Sequence, residues 1–116
     1  MQDFRNLKVW QKAHAFVLTV YPATADFPQH ELFGLRTQLR RASFTIPSKV
    51  AEGCARESDA DFARSLHAAQ GSASEAEYLL LAHDLGYLAG AKYADLSGAI
   101  LEVRKMLSGL LGSLTY

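Results

Sequence analysis

The side chains best suited to metal or nucleophilic chemistry in this sequence are its histidines and its single cysteine. The four histidines are His14, His30, His67 and His83. No two of them follow a His-x-x-x-His spacing and none follows Glu-x-x-His, the spacing that helical di-metal sites use. Cys54 has Arg56 nearby but no adjacent base, which is typical of an ordinary buried thiol. The sequence therefore predicts no catalytic residue, no metal and no cofactor, and a metal-binding bundle enzyme is kept as an alternative.

The stretch "QLRRASFTIPSKVAEG" favours binding over catalysis. With 100° per residue, Phe44 falls nearly opposite the apolar face of this helix. Arg40 and Arg41 precede Phe44 by four and three residues, so the three side chains are predicted to share the outer surface. We interpret this group as part of a self-association surface. Two alternatives are stacking of Phe44 on a nucleic-acid base, with the arginines on phosphates, and a kink that turns Phe44 inward.

Charge is divided along the chain although the total is balanced. Twelve Lys and Arg residues match twelve Asp and Glu residues, which argues against the large positive field of a dedicated nucleic-acid binder. Residues 32–51 hold four basic and no acidic side chains, whereas residues 52–84 hold seven acidic side chains and two arginines. Any nucleic-acid binding must therefore depend on a local patch.

Helical spacing of apolar residues dominates the sequence, and no stretch alternates with period two for long enough to predict a strand. Four helices are predicted, at about residues 6–24, 28–54, 58–86 and 90–114. Short connections favour an all-α, antiparallel, up-down-up-down four-helix bundle that forms one domain over residues 1–116. The first helix has an unusually wide apolar arc, so we expect it to contact more than one neighbour.

Several residues mark predicted helix boundaries. Asn6 is a good N-cap for the first helix, and Pro28 suits the first position of the second. Gly53 is predicted to terminate the second helix. Ser58 followed by Asp61 resembles a capping box that opens the third.

Pro47 interrupts the apolar pattern of the second helix. Its ring nitrogen cannot donate to the Ser43 carbonyl, so we predict a kink at Pro47. A break at Ile46 with a new helix starting at Pro47 is the alternative.

The third helix is predicted to pack through two opposite faces. One carries its core residues, and the opposite face carries small side chains that would let another backbone approach closely. Glu75 on this face is interpreted as a polar clamp to an arginine across a helix pair or subunit boundary, with a catalytic carboxylate as the alternative. The residues predicted to form an oligomer interface are Phe44, Ala68, Gly71, Ser72, Glu75, Tyr78 and Leu79.

The cellular compartment is inferred from what the sequence lacks. A single cysteine cannot form a disulfide within the chain, and no secretory leader or long apolar run occurs. We therefore expect a cytoplasmic protein that does not associate with a membrane.

Three segments carry a family resemblance: "FPQHELFGLRTQLRRASFTIPSKVAEG", "SLHAAQGSASEAEYLLLAHDLGYL" and "RKMLSGLL". In order and spacing they resemble the four-helix-bundle family of proteins encoded in intervening sequences of 23S ribosomal RNA genes. The resemblance implies homopentamers of antiparallel four-helix subunits with a largely undefined molecular function. RNA binding has been supposed for that family from its genomic location. A related accessory protein of diversity-generating retroelements is a basic pentamer that binds a reverse transcriptase and nucleic acid.

Together, the residues and the resemblance predict a non-enzymatic homo-oligomer, most simply a pentamer, that acts as an interaction or scaffold module. Its expected partner is a further copy of itself, with RNA, another nucleic acid or a nucleic-acid-processing protein as a possible addition. A purely structural or protein-partner adaptor is the alternative. The residues predicted to contact nucleic acid are Lys8, Lys12, Arg36, Arg40, Arg41 and Lys49. Fivefold repetition is expected to bring most of these cations into a ring or channel.

Overall fold

The computed structural model describes residues 2–115, which form four α-helices and three short 3₁₀ turns. The helices are α1 (Lys8–Thr24), α2 (Leu35–Cys54), α3 (Asp59–Leu79) and α4 (Gly90–Ser113). The 3₁₀ turns are Phe4–Asn6, Gln29–Glu31 and Leu80–His83. No strand occurs in this part of the chain, so the predicted all-α fold with four helices is confirmed.

Each helix packs against two others, and the four together surround one core. α1 contacts α2 and α4, and α3 contacts the same two helices. Along each pair of helices, contacts pair rising residue numbers on one with falling numbers on the other: Gln2 with Cys54 and Tyr21 with Arg40, then Asp59 with Thr115, Gln70 with Ser108 and Glu77 with Arg104. α1 and α2 therefore run in opposite directions, and so do α3 and α4.

The core follows the three- and four-residue spacing of apolar side chains. Its largest fully buried members are Phe16, Leu39, Ile46, Leu66, Leu80, Leu96, Ile100 and Leu107. Half of the core residues from α3 are alanines, namely Ala69, Ala73 and Ala76. Small side chains allow two helix backbones to approach closely, and α3 lies close to α2 for this reason.

Gly53 makes that approach possible, and its predicted role as a helix terminator is wrong. α2 continues to Cys54, and Gly53 is buried inside the helix. A Cβ atom on Gly53 would lie 2.8 Å from Cδ1 of Phe62 and 2.9 Å from Cβ of Ser65. The glycine is therefore needed for packing against α3, not for a turn.

The first two helices begin later than predicted. The Asp3 carboxylate accepts the N–H of Arg5 at 3.0 Å and caps a separate 3₁₀ turn, so Asn6 is not the N-cap of α1. Pro28 likewise precedes a 3₁₀ turn and does not start α2. Gly34 has a non-helical ψ of −112°, and Oε1 of Glu31 accepts the N–H of Leu35 at 3.1 Å. That carboxylate supplies the cap from which α2 starts.

α2 passes through Pro47 as one helix, and Pro47 is buried. The alternative of a break at Ile46 is therefore wrong. The predicted kink is a statement about helix curvature and stays a prediction.

The predicted start of α3 is confirmed by its cap. The Ser58 hydroxyl accepts the N–H of Asp61 at 3.1 Å. The predicted end at Gly86 is wrong, since α3 gives way at Leu79 to the 3₁₀ turn. Gly86 instead has a φ of 82°, a left-handed conformation that glycine adopts easily, in the turn before α4.

We expect the Ser58→Ala variant to lose about 1 kcal/mol of unfolding free energy, because the N–H of Asp61 loses its acceptor. Urea denaturation followed by circular dichroism measures the loss. Ser48 is exposed inside α2, so Ser48→Ala is the matched control and should change stability by less than about 0.5 kcal/mol. Equal losses in the two variants would contradict the cap.

Candidate functional site

Five aromatic or aliphatic side chains and one histidine leave a partly exposed stripe on the side of the bundle shared by α1 and α2. We call it the α1–α2 stripe, and its members are Phe4, Trp10, His14, Leu18, Tyr21 and Phe44. From Trp10 onward the members on α1 are spaced by three or four residues, which places them on one helix face. Leu18 is 62% exposed, Phe44 46% and Tyr21 39%. The predicted position of Phe44 on the outer surface is thus confirmed.

One end of the stripe is a stack of three rings. The centroids of Phe4 and Trp10 are 4.9 Å apart, and those of Trp10 and His14 are 4.8 Å apart with planes inclined by 10°. Phe4 and Trp10 also pack against the core, while His14 is exposed. The rings therefore hold one another in place on the surface, and His14 is an aromatic neighbour of Trp10.

The other end of the stripe is fixed by Arg40. Its Nε donates to Oγ1 of Thr24 at 2.8 Å, and its Nη2 donates to the carbonyl oxygen of Tyr21 at 2.9 Å. The guanidinium carbon also lies 4.5 Å from the centroid of the Tyr21 ring. Arg40 thus satisfies acceptors in the last turn of α1, where a cation is also favoured by the helix dipole.

Leu18 and Phe44 lie at the same level of the bundle. From the contact between Tyr21 and Arg40, Leu18 is three residues back along α1 and Phe44 is four residues forward along α2. Because the two helices run in opposite directions, both residues are displaced about one turn the same way. Exposed apolar side chains therefore occur at the same level on the two neighbouring helices.

The contacts of Arg40 change the interpretation of the predicted nucleic-acid residues. Burial lowers the pKa of the Arg40 guanidinium, and the neighbouring charge of Arg36 lowers it further. Two of the three guanidinium nitrogens of Arg40, Nε and Nη2, already donate within the subunit. The partners of Arg40 are a hydroxyl and a carbonyl oxygen, so within the subunit it has a structural role without an ion pair to Glu52 or Glu75. Arg41, in contrast, is exposed.

The remaining predicted cations do not form one patch. Lys12 pairs with Glu102 on α4 at 3.3 Å, and Lys49 pairs with Glu52 at 3.4 Å. Lys8 lies about 20 Å along the axis of α1 from the level of Arg40. The predicted cations on one subunit therefore lie at different levels of the bundle and do not form one continuous basic patch. Nucleic-acid contact through the arginines of α2 stays a prediction.

The predicted interface on α3 is mostly exposed. Ala68, Gly71, Glu75 and Tyr78 are exposed, and Ser72 is half-buried. Leu79 is only 7% exposed and belongs to the core, so its place in the predicted interface is wrong. The helical count placed Leu79 on the outer face, but α3 ends there and the side chain packs inward.

The side chains that could act as nucleophiles or metal ligands do not cluster among the described residues. Burial raises the pKa of the Cys54 thiol, and the charge of Asp3 raises it further, which disfavours the reactive thiolate. Within residues 2–115, no three His, Cys, Asp or Glu side chains lie close enough together to hold a metal ion. None of the helices in the same part of the chain is long and apolar enough to cross a membrane.

Comparison with known proteins identifies the family. A family model described as 23S rRNA-intervening sequence protein matches residues 5–109, which is nearly the whole chain. The chain belongs to this family. The predicted resemblance to 23S rRNA-intervening sequence proteins is thereby confirmed.

A solved structure shows that the fold recurs. It is a protein of unknown function from Bacteroides thetaiotaomicron VPI-5482, described as a member of the S23 ribosomal protein family. The two chains share 24% identity over 90% of this chain and 99% of the other, with a TM-score of 0.81. At that identity the likeness establishes the fold alone. No curated protein sequence matches the chain at a significant level.

Sequence reasoning missed part of the surface that this family member presents. Trp10, His14, Leu18 and Tyr21 were not predicted as site residues, although the wide apolar arc of the first helix indicated them. The arc shows that too many apolar side chains are present for one core. It does not show which of them the other helices leave uncovered, because that depends on packing.

We expect Arg40→Ala to destabilise the fold by about 1–2 kcal/mol, because it removes the charged donor to the Thr24 hydroxyl oxygen and one donor to the Tyr21 carbonyl oxygen. Arg41→Ala is the matched control on the next residue and should change unfolding free energy by less than about 0.5 kcal/mol. Chemical denaturation of both variants measures the difference. If Arg40→Ala is as stable as Arg41→Ala, the structural role of Arg40 is wrong.

Proposed function

We propose that this 23S rRNA-intervening sequence family protein is a non-enzymatic helical bundle that assembles with copies of itself and serves as an interaction scaffold. The observation that carries the proposal is the α1–α2 stripe. It presents Leu18, Tyr21 and Phe44 to solvent beside a ring stack that already covers part of the core. Tyrosine, tryptophan and arginine, all present in this region, are the residues enriched at energetic centres of protein interfaces.

The physical reason for assembly is unrealised burial. A large apolar side chain gains about 1.5–3 kcal/mol when it is moved from water to a packed interior. Scattered single exposed residues are common in monomers, but adjacent ones on two neighbouring helices form a patch that a partner can cover. A second copy of the same chain can bury this patch without any other protein. Repetition of the same contact then gives a closed assembly.

Native mass spectrometry together with light scattering over a range of concentrations tests the proposal. We expect an assembly of several copies, with a pentamer as the form that the family resemblance implies. Dissociation on dilution should be cooperative and should leave the helical content unchanged. A monomer at every concentration up to about 100 μM, in the affinity range of weak association, would reject self-assembly.

Nucleic-acid binding is the second candidate function, favoured by one observation. Arg41 is exposed three residues before the exposed ring of Phe44, an arrangement that can hold a phosphate and stack on a base. Fluorescence anisotropy with a single-stranded RNA should then show affinity that falls steeply with salt and weakens in Arg41→Ala. Lys105→Ala, on α4, is the control. Salt-independent binding, or equal effects of the two variants, would reject this candidate.

We further propose a cytoplasmic location. The lone Cys54 is buried and cannot form a disulfide within the chain, which suits a reducing compartment.

A further inference from the structure

The helices of the bundle divide their charge unevenly. α1 and α2 together hold six Lys and Arg residues and a single acid, Glu52. α3 holds four acids and one arginine, Arg64. The side of the subunit formed by α1 and α2 is therefore basic and carries the α1–α2 stripe, while α3, which packs beside α2 and across the bundle from α1, is acidic. If two copies met through the same surface, charges of the same sign would face each other. If the basic surface of one copy met the acidic surface of the next, in a head-to-tail arrangement, opposite charges would pair.

The two oppositely charged surfaces also offer a projecting ring on one side and an uncovered helix backbone on the other. On α2, the ring of Phe44 projects from the surface, with Arg41 one turn before it. On α3, the exposed Gly71 carries no side chain and a Cβ atom there would have no neighbour within 4 Å, so an approaching ring has room above it, and Glu75 lies one turn after it. Neither Arg41 nor Glu75 has an ion-pair partner among residues 2–115.

We infer that the α1–α2 stripe of one copy packs against the outer face of α3 of the next copy, with Phe44 over Gly71 and Arg41 paired with Glu75. The inference rests on the proposed self-assembly and specifies which two surfaces meet. If α2 and the neighbouring α3 are antiparallel, the step from Phe44 back to Arg41 and the step from Gly71 forward to Glu75 point the same way. Their axial lengths, about 4.5 and 6 Å, are close enough for long side chains to meet.

The two surfaces are different patches of one subunit, which fixes the kind of assembly. A contact between unlike patches is heterologous, so each added copy leaves one free stripe and one free α3 face. Such a contact ends in a closed ring when the rotation between copies closes. A twofold dimer built from one self-complementary patch is not compatible with this arrangement.

Exchange of the paired charges tests the contact. We expect Arg41→Glu and Glu75→Arg each to raise the concentration at half-assembly by roughly tenfold or more, because each places like charges across the interface. The double variant restores the opposite-charge pair and should return the half-assembly concentration to within about threefold of the wild type. Asp95→Arg, an exposed acid on α4, is the control and should leave assembly unchanged.

The outcomes separate this inference from the proposed function. If the wild type assembles but the double variant assembles no better than the single variants, the pairing is wrong and self-assembly stands. If Arg41 and Glu75 instead pair within one subunit, the charge exchange will change unfolding free energy and not the half-assembly concentration, which also overturns the inference. A wild type that never assembles would remove the proposed function itself.

A mixing experiment tests the head-to-tail arrangement directly. One variant loses the stripe (Leu18→Gln with Phe44→Gln), and a second has a blocked α3 face (Gly71→Gln with Glu75→Arg). Each should be monomeric alone, and the mixture should form a one-to-one dimer through the single intact pair of surfaces. A mixture that stays monomeric, or that forms larger closed assemblies, contradicts a heterologous contact.

Discussion

A double variant carrying Leu18→Gln and Phe44→Gln is expected to be a folded monomer at concentrations at which the wild-type protein is assembled. Both side chains are large, apolar and about half exposed, so each should contribute about 1–2 kcal/mol to an interface between copies. Their combined loss should weaken each contact by roughly 30- to 1,000-fold. Glutamine is a good helix former, so α1 and α2 should be retained. Light scattering and circular dichroism measure mass and fold on the same sample.

Leu101 supplies the matched control. It lies on α4, outside the stripe, and is 45% exposed, nearly the same as Phe44. Leu101→Gln should therefore leave the mass of the assembly unchanged. The interface assignment is contradicted if Leu101→Gln dissociates the assembly as strongly as the double variant, or if the double variant stays assembled.

The second large effect is expected inside the subunit, at Gly53. A leucine there would place its Cβ 2.8 Å from Phe62 and 2.9 Å from Cβ of Ser65, which real Cβ atoms do not tolerate. Because Ser65 Cβ is bound directly to the backbone of α3, the two helices would have to separate. We expect Gly53→Leu to lose about 3 kcal/mol of unfolding free energy despite the better helix propensity of leucine. Urea denaturation measures the loss.

Gly98 is the control for this substitution. It lies inside α4, is exposed, and has open space around its position for a side chain. Gly98→Leu should therefore be neutral or more stable by about 0.5–1 kcal/mol, as expected for removal of an exposed helical glycine. If Gly53→Leu is as stable as Gly98→Leu, the close approach of α2 and α3 is not required for the fold.

Local features of the fold could be predicted because they depend on neighbours in sequence. Helical periodicity located all four helices, and the spacing of Ser58 and Asp61 identified the cap that the hydrogen bond confirms. The exposure of Phe44 followed from its angular position relative to the apolar face of its own helix. Family membership added the fold before any packing was known.

Features that depend on a second segment could not be predicted in the same way. The start of α2 is set by a carboxylate, Glu31, that also accepts a hydrogen bond from the Tyr87 hydroxyl at 3.2 Å, 56 residues away. The sequence of α2 predicts a surface cation at Arg40, because the partners of Arg40 lie on α1. The sequence of α2 likewise predicts a helix terminator at Gly53, because it does not show the α3 side chains that pack against this glycine.

The same limit explains which site residues were found. Phe44 and the exposed positions of α3 were predicted from single helices. The ring stack of Trp10 and His14 required knowledge of which side of α1 the bundle leaves open. Which surface stays exposed is a property of the packed subunit. The sequence of one helix can therefore show an excess of apolar residues, but it cannot show which of them remain exposed.

The central claim is that the α1–α2 stripe becomes covered by another copy, and the fluorescence of Trp10 tests it most directly. Trp10 is the single tryptophan of the chain and lies within the stripe, so its emission comes from that surface alone. Acrylamide quenching should be measured across the concentration range in which light scattering records assembly. We predict a blue-shifted emission and a quenching constant at least about twofold lower in the assembled protein than in the monomer, as burial of an interface residue requires. Equal quenching in the two states would show that assembly leaves the stripe open and would contradict the account.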